Sequence, residues 1–201
     1  MFGKDDAVYK KNTQFPTMDL ALTYGPTFTF VKELEKNGLI AKDTKTAEYG
    51  VARAGDMVKM ISLARPFSSL KIINFHSPLD FHGTLKMVQK SKLLHAFTVF
   101  SGSELYRQYV KTDQVHVYIK EGEEEEWNKY LLSKKCLKAQ KSHANLFLIP
   151  TSKEAFFKNS VKVKGFSIAP TPILLSDLLS FGGLAEEQAN FLMEEWLNNG
   201  L

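Results

Sequence analysis

Few residues in this 201-residue chain stand at the spacings that chemistry requires. Gly102-Ser103 followed by Asp113 comes nearest, since a Gly-Ser turn positions phosphate and two strand carboxylates one residue apart hold magnesium in phosphoryl transfer. The second carboxylate is absent. The alternate position after Asp113 is Val115, the strand continues through His116, Val117 and Tyr118, and no acid follows until Glu121. One carboxylate cannot clamp two metal ions between phosphate oxygens, so the segment reads as a fold for binding only. His76, His82, His95, His116 and His143 never fall at i, i+4 with an acid between them, so no metal site is expected. There is no Gly-x-Ser-x-Gly, and the FSGSE segment has no neighbouring base. The lone Cys136 has no Cys or His at ligand spacing and reads as a small buried hydrophobe. The expectation is a protein without enzymatic activity, metal or cofactor.

The chemistry that remains is binding, and GPTFTFVKELEKNGLI, Gly25 to Ile40, carries most of it. Pro26 suits the first helical position and Gly38 the left-handed residue that closes a last turn. Thr27, Val31 and Leu34 recur at helical spacing and can pack inward, while Thr29, Lys32 and Lys36 turn to the other side. A helix that reads base edges needs short side chains near its start and cations further along for phosphate. Glu33 and Glu35 oppose that reading, since an amphipathic helix with lysines outside is common in soluble proteins. The flanks favour it. Lys4–Asn12 reads as a short first helix and Met18–Leu22 as a second, with a break at Tyr24 and Gly25; downstream, Leu39 and Ile40 start a strand, Asp43–Lys45 is a turn, and Tyr49–Ala52 returns. Helix, turn, helix, hairpin is the order of a winged helix-turn-helix. Its expected contacts to double-stranded DNA are Thr27, Thr29, Lys32 and Lys36, with Lys42, Lys45 and Arg53 near the wing touching backbone.

The positions that must hold this helix follow a consistent plan. Gly55–Ala64 reads as a helix capped by Asp56, with Met57, Met60, Ile61 and Ala64 on one face, and the break at Arg65-Pro66 is taken as a domain boundary. Beyond it, strands are expected at Leu70–His76, Leu94–Phe100, Val115–Ile119, Ala144–Ile149 (stopped by Pro150) and around Gly165. Helices are expected at Asp80–Lys90, from Ser101 as cap through Tyr109, at Trp127–Ser133, Thr171–Ser180 and Leu184–Leu197. The fold class is therefore α+β, with α/β as the alternative: a winged helix-turn-helix over 1–65, then a mixed domain over 66–201 that ends in two helices.

Composition agrees with a folded binding protein. Apolar residues make up 44% and charged residues 24%, and no apolar run approaches the roughly 18 residues that span a bilayer. No signal-like core opens the sequence, so a cytoplasmic protein without membrane contact is expected. The net charge is +4, divided as +2 over residues 1–65, +4 over 66–120 and −2 over 121–201. That excess permits nucleic-acid binding, and its small size implies that tight binding needs two copies, as in a homodimer, or two sites. The acidic run EGEEEE, Glu121 to Glu126, reads as a loop entering a helix.

Taken together, a winged helix followed by AFTVFSGSELY, VHVYI, ANLFLIP and IAPTPILLSDLLSFGGLAEEQANFLMEEW resembles the antitoxins of AbiE-like type IV toxin-antitoxin systems. The last segment is the most specific, with a small-Pro stretch at Ala169–Pro172, an Asp-Leu-Leu core at Asp177–Leu179, a Gly182-Gly183 turn and an acidic start at Glu186-Glu187. The resemblance covers nearly the whole chain and implies a DNA-binding autorepressor, not an enzyme, whose second domain counteracts a nucleotidyltransferase-like toxin. The partner-facing residues are then expected on the Ser101–Tyr109 helix: Glu104, Arg107 and Gln108. Two other readings stay open: a degenerate nucleotidyltransferase-like nucleotide-binding protein or enzyme, and an interaction module that contacts protein without binding DNA.

Overall fold

The computed structural model describes residues 24–45, 48–107 and 109–199, with side chains from Thr29 to Asn198. The helices expected at Lys4–Asn12 and Met18–Leu22, the side chain of Thr27, and Gln108 lie outside the described residues. Helical and strand-like segments follow one another as α1 (Tyr24–Lys36), β1 (Ile40–Lys42), β2 (Tyr49–Val51) and α2 (Ala54–Ala64), then a 3-10 turn at Phe67–Ser69. The chain continues with β3 (Ile73–His76), α3 (Phe81–Gln89), β4 (His95–Thr98), α4 (Val99–Tyr106), β5 (Val115–Lys120) and α5 (Glu124–Ser133). It ends with β6 (Leu137–Lys138), β7 (Leu146–Thr151), α6 (Ala155–Lys158), β8 (Val161–Val163), β9 (Phe166–Ile168), α7 (Thr171–Phe181) and α8 (Leu184–Asn199). The class is mixed α+β: a small antiparallel hairpin, β1–β2, and a seven-stranded sheet in the order β6-β3-β7-β5-β4-β9-β8.

β5 lies at the middle of that sheet because its side chains from Val115 to Ile119 are all buried. It pairs in parallel with β7 and antiparallel with β4. Alternation puts His116 and Tyr118 on one face, under α7 and the 3-10 turn, and Val115, Val117 and Ile119 on the other, toward α3 and α5. α5 seals that second face with Trp127 and Leu131, both fully buried, and Trp127 meets the edge of His95 at 6.0 Å. Cys136 is buried beside Met87, its Sγ 3.7 Å from the thioether sulfur.

Several elements depart from the sequence expectation for identifiable reasons. β4 stops at Thr98 and α4 starts at once, so Phe100 and Ser101 are helical and Ser101 is not the cap. The reversal is made at Val99, whose φ of 47° is unusual for a β-branched residue. Ser101 closes the buried ladder end: its hydroxyl accepts from the His116 N–H at 3.0 Å and donates to the Thr98 carbonyl at 2.8 Å. β7 runs through Pro150, which pairs with Ile119 in parallel register. On α2 the inward face is Val58 and Ser62, whereas Met60 and Leu63 are exposed, because the helix is turned by its packing on α7. Val58 thereby shares one core with the sheet, although it precedes the break at Pro66.

A single carboxylate sets that packing. Asp177 is fully buried on α7 and accepts from Thr98 Oγ1 at 2.6 Å, from the Tyr118 hydroxyl at 2.7 Å and from the Arg65 guanidinium. Arg65 also donates to the Tyr118 hydroxyl at 2.9 Å and lies over the Phe156 ring, 5.4 Å from its centroid. Burial pushes the Asp177 carboxyl above its ordinary range, against the pull of Arg65, Thr98 and Tyr118. Removing one member of such a pair strands the other charge, so Asp177→Ala should lower stability by about 3–5 kcal/mol. In urea unfolding, a double-mutant cycle with Arg65→Met should give a coupling above ~1 kcal/mol, and strict additivity would contradict the linkage.

His116 beside this network supplies a second test. Burial holds its imidazole neutral, with a pKa down at about 3. The unfolded chain therefore takes up a proton below the ordinary histidine value of about 6.5 that the folded chain refuses until about 3, so stability is lost as pH falls through that window. Between pH 7 and pH 5 the loss from this residue should be about 2 kcal/mol. His116→Phe should remove that much of the acid sensitivity, and equal pH dependence in the two proteins would show that the imidazole is not held neutral.

Candidate nucleic-acid interface

α1 ends as its sequence dictates. The Gly38 N–H donates to the Glu35 carbonyl and the Leu39 N–H to the Leu34 carbonyl, each at 2.9 Å, with Gly38 at φ 68°. This is a Schellman closure, and its accompanying apolar contact is present, since Leu34 and Leu39 are buried together with Ile40 against Val31 and Met57. The Leu39 carbonyl then accepts from the Ala52 and Arg53 N–H groups, which returns the chain beside the helix end. The hairpin pairs Ile40 with Val51, Ala41 with Gly50 and Lys42 with Tyr49. Its turn is tightened by the Asp43 side chain, which accepts from the Lys45 N–H at 2.7 Å. Helix and hairpin therefore form one unit built on a small apolar cluster.

The outward side of the unit is polar and basic. Thr29, Lys32 and Lys36 of α1 are exposed, as are Lys42, Lys45 and Arg53. Lys32 pairs with Glu35 at 2.8 Å, and Lys42 lies 5.9 Å from the centre of the Tyr49 ring. Hydrogen bonding and charge from Glu35 raise the Lys32 ammonium pKa, with a smaller contribution from Tyr49. The Glu35 carboxyl is lowered by Lys32 first and also by Lys42 and Tyr49. Lys32 from the helix and Lys42 from the hairpin are thus brought together around Glu35 and Tyr49. Arg53 pairs instead with Asp56, which lies in the first turn of α2 and is not its cap. Tyr49 is 41% exposed and interacts with both lysines, a role that its place in the sequence pattern does not signal.

The other residues singled out for chemistry lie elsewhere. Gly102 and Ser103 are inside α4 and not in a phosphate-holding turn. A Cβ at Gly102 would stand 2.8 Å from Leu174 Cδ1 and 3.1 Å from the Phe97 carbonyl, so glycine there serves close packing of helix on sheet. Asp113 is exposed in the connection before β5. Glu104 is half-buried, and burial raises its carboxyl pKa against the charges of His82 and Lys164. Arg107 turns toward α8, paired with Glu195 and 5.1 Å from the centre of the Phe191 ring. Glu104 and Arg107 therefore face different neighbours. Among the described residues no group of His, Cys, Asp and Glu could hold a metal ion, and no helix is long and apolar enough to cross a membrane. The chain matches no protein-family model, no curated protein and no solved structure.

The rigidity of the helix–hairpin unit depends on its closing glycine. A Cβ at Gly38 would meet nothing within 4 Å, so the whole effect of Gly38→Ala comes from its positive φ. The substitution should cost about 1 kcal/mol in urea unfolding and loosen the hairpin first. Amide exchange should quicken at Ala52 and Arg53, whose N–H groups both rest on the Leu39 carbonyl; unchanged protection there would separate the hairpin from the helix end.

Proposed function

We propose that this chain is a sequence-specific DNA-binding transcriptional regulator of antitoxin type that represses its own promoter. In this reading α1 is the recognition helix, with Thr29 toward base edges and Lys32 and Lys36 toward phosphate, and the β1–β2 hairpin is the wing. The observation that carries it is the meeting of Lys32 and Lys42 on one exposed side, from a helix and from the antiparallel hairpin that follows it. A helix in the major groove with a neighbouring wing on the backbone needs cations on both elements at once. Glu35 serves to orient Lys32 in the free protein and is exchanged for phosphate in the complex. The resemblance of the Ala169–Glu187 segment to AbiE-like antitoxins supports a second role, binding of a nucleotidyltransferase-like toxin by the larger sheet domain, with Glu104, Arg107 and Gln108 at the contact. Such a regulator works in the cytoplasm.

If Lys32 and Lys36 each meet one phosphate, Lys32→Ala with Lys36→Ala should flatten the slope of log affinity against log salt by about 1.8 on the chain's own promoter. An unchanged slope would remove α1 from the interface. The modest positive charge of the first 65 residues, +2, calls for two copies or two sites in tight binding, and we favour two copies. Footprinting should then show paired half-sites about 34 Å apart or a multiple of that, and a single short site bound tightly by a monomer would contradict the dimer.

A further inference from the structure

We propose that the cleft between the Phe67–Ser69 turn, the end of α7 and the sheet strands β3, β5 and β7 binds a small planar aromatic anion. The cleft has a volume of about 490 Å³, within the range of small-molecule sites. Its walls are rings. His116 stacks on Phe147 with centroids 4.6 Å apart, and Phe67 and Phe181 stand edge-on to the same imidazole at 5.8 and 5.4 Å. Three of these rings are buried on one another, and Phe181, 39% exposed, offers the open ring surface on which a flat π-system can lie.

The polar groups decide the charge. Lys141 is the only charged residue lining the cleft, and no carboxylate does, among the described residues. A cationic ligand would find no counter-charge there, whereas an anion meets the ammonium, with the side-chain amides of Asn74 and Gln114 available as further donors. The imidazole of His116, 2% exposed, adds no positive charge near neutral pH, so selection of the anion falls to Lys141. Phe67 is itself fixed by its N–H, which donates to Ser180 Oγ at 3.2 Å, so the two sides of the cleft are held together without a ligand. This site is independent of the DNA reading, since none of its residues belongs to α1 or the hairpin.

The test is calorimetric titration of the full chain with indole-3-acetate, neutral indole-3-acetamide and cationic tryptamine. The acetate should bind at least about tenfold more tightly than tryptamine. Lys141→Gln should weaken the acetate by about tenfold and leave the acetamide unchanged. Ser68→Trp, at the exposed rim, should abolish binding while melting temperature and circular dichroism stay as in the parent. If that variant does not fold, the Lys141→Gln series decides alone. No binding of any probe at millimolar concentration, equal affinity for acetate and tryptamine, an acetate affinity indifferent to Lys141, or binding that survives a folded Ser68→Trp variant would each overturn the proposal.

Discussion

Asp177 buries a carboxyl group away from solvent, and the surrounding structure is arranged so that this is tolerated. Three donors from three separate elements converge on its two oxygens: Thr98 at the end of β4, Tyr118 from the middle of β5, and Arg65 just beyond α2. Each of those elements is thereby fixed relative to α7. The orientation of α2 goes with this link, since the helix packs on α7 with Val58 and Ser62 buried and Met60 and Leu63 exposed, and Arg65 at its end reaches Asp177. The hairpin is attached to the start of α2, so the placement of the basic side of the molecule descends from the same buried carboxylate. A hydrophobic substitute could supply comparable stability, but it would not select one rotation of α2 over its neighbours.

Much of the architecture was readable in the sequence because its signals are local. Gly38 marks a helix end by conformational freedom, and the structure has it at a positive φ. Asp80 precedes an apolar helical pattern, and its carboxylate accepts the Gly83 N–H at 2.7 Å as a cap. Leu85 and Val88 face inward as their spacing requires. The failures occur where tertiary packing overrules a local pattern. Alternation continued through Phe100, yet β4 ends at Thr98 because Val99 takes a backbone conformation that its side chain disfavours. Pro150 reads as a stop, yet the strand continues, since a missing N–H is harmless where the ladder does not call on it.

The candidate interface was legible in part. Helix periodicity put Thr29, Lys32 and Lys36 outside, where the structure has them. It could not show that Tyr49 and Glu35 gather Lys32 and Lys42, because strand register decides which side chain of the hairpin lies nearest the helix. The buried network was missed almost entirely: Arg65 read as a break and Tyr118 and Thr98 as ordinary strand residues. One signal was present. An aspartate inside the apolar segment PILLSDLLSF must find a cation if it is buried, and the helix that holds it has no cation of its own.

The separations along the chain within this network bear on how the protein reaches its fold. Asp177 is 112 residues from Arg65, 79 from Thr98 and 59 from Tyr118. Loop closure over such lengths costs little extra free energy, about 0.6 kcal/mol per doubling, but it slows the search, because none of the three donors finds its acceptor until α7 has docked. β4, β5 and β7 all precede Thr171–Phe181 in the chain, so during synthesis they leave the ribosome first. For that interval one sheet face, with Phe147, Tyr118 and the neighbouring Phe67, lies uncovered, its rings in water and its hydroxyls and guanidinium hydrated. The nascent chain is most open to aggregation then, and arrival of a single apolar helix with its one aspartate ends that interval.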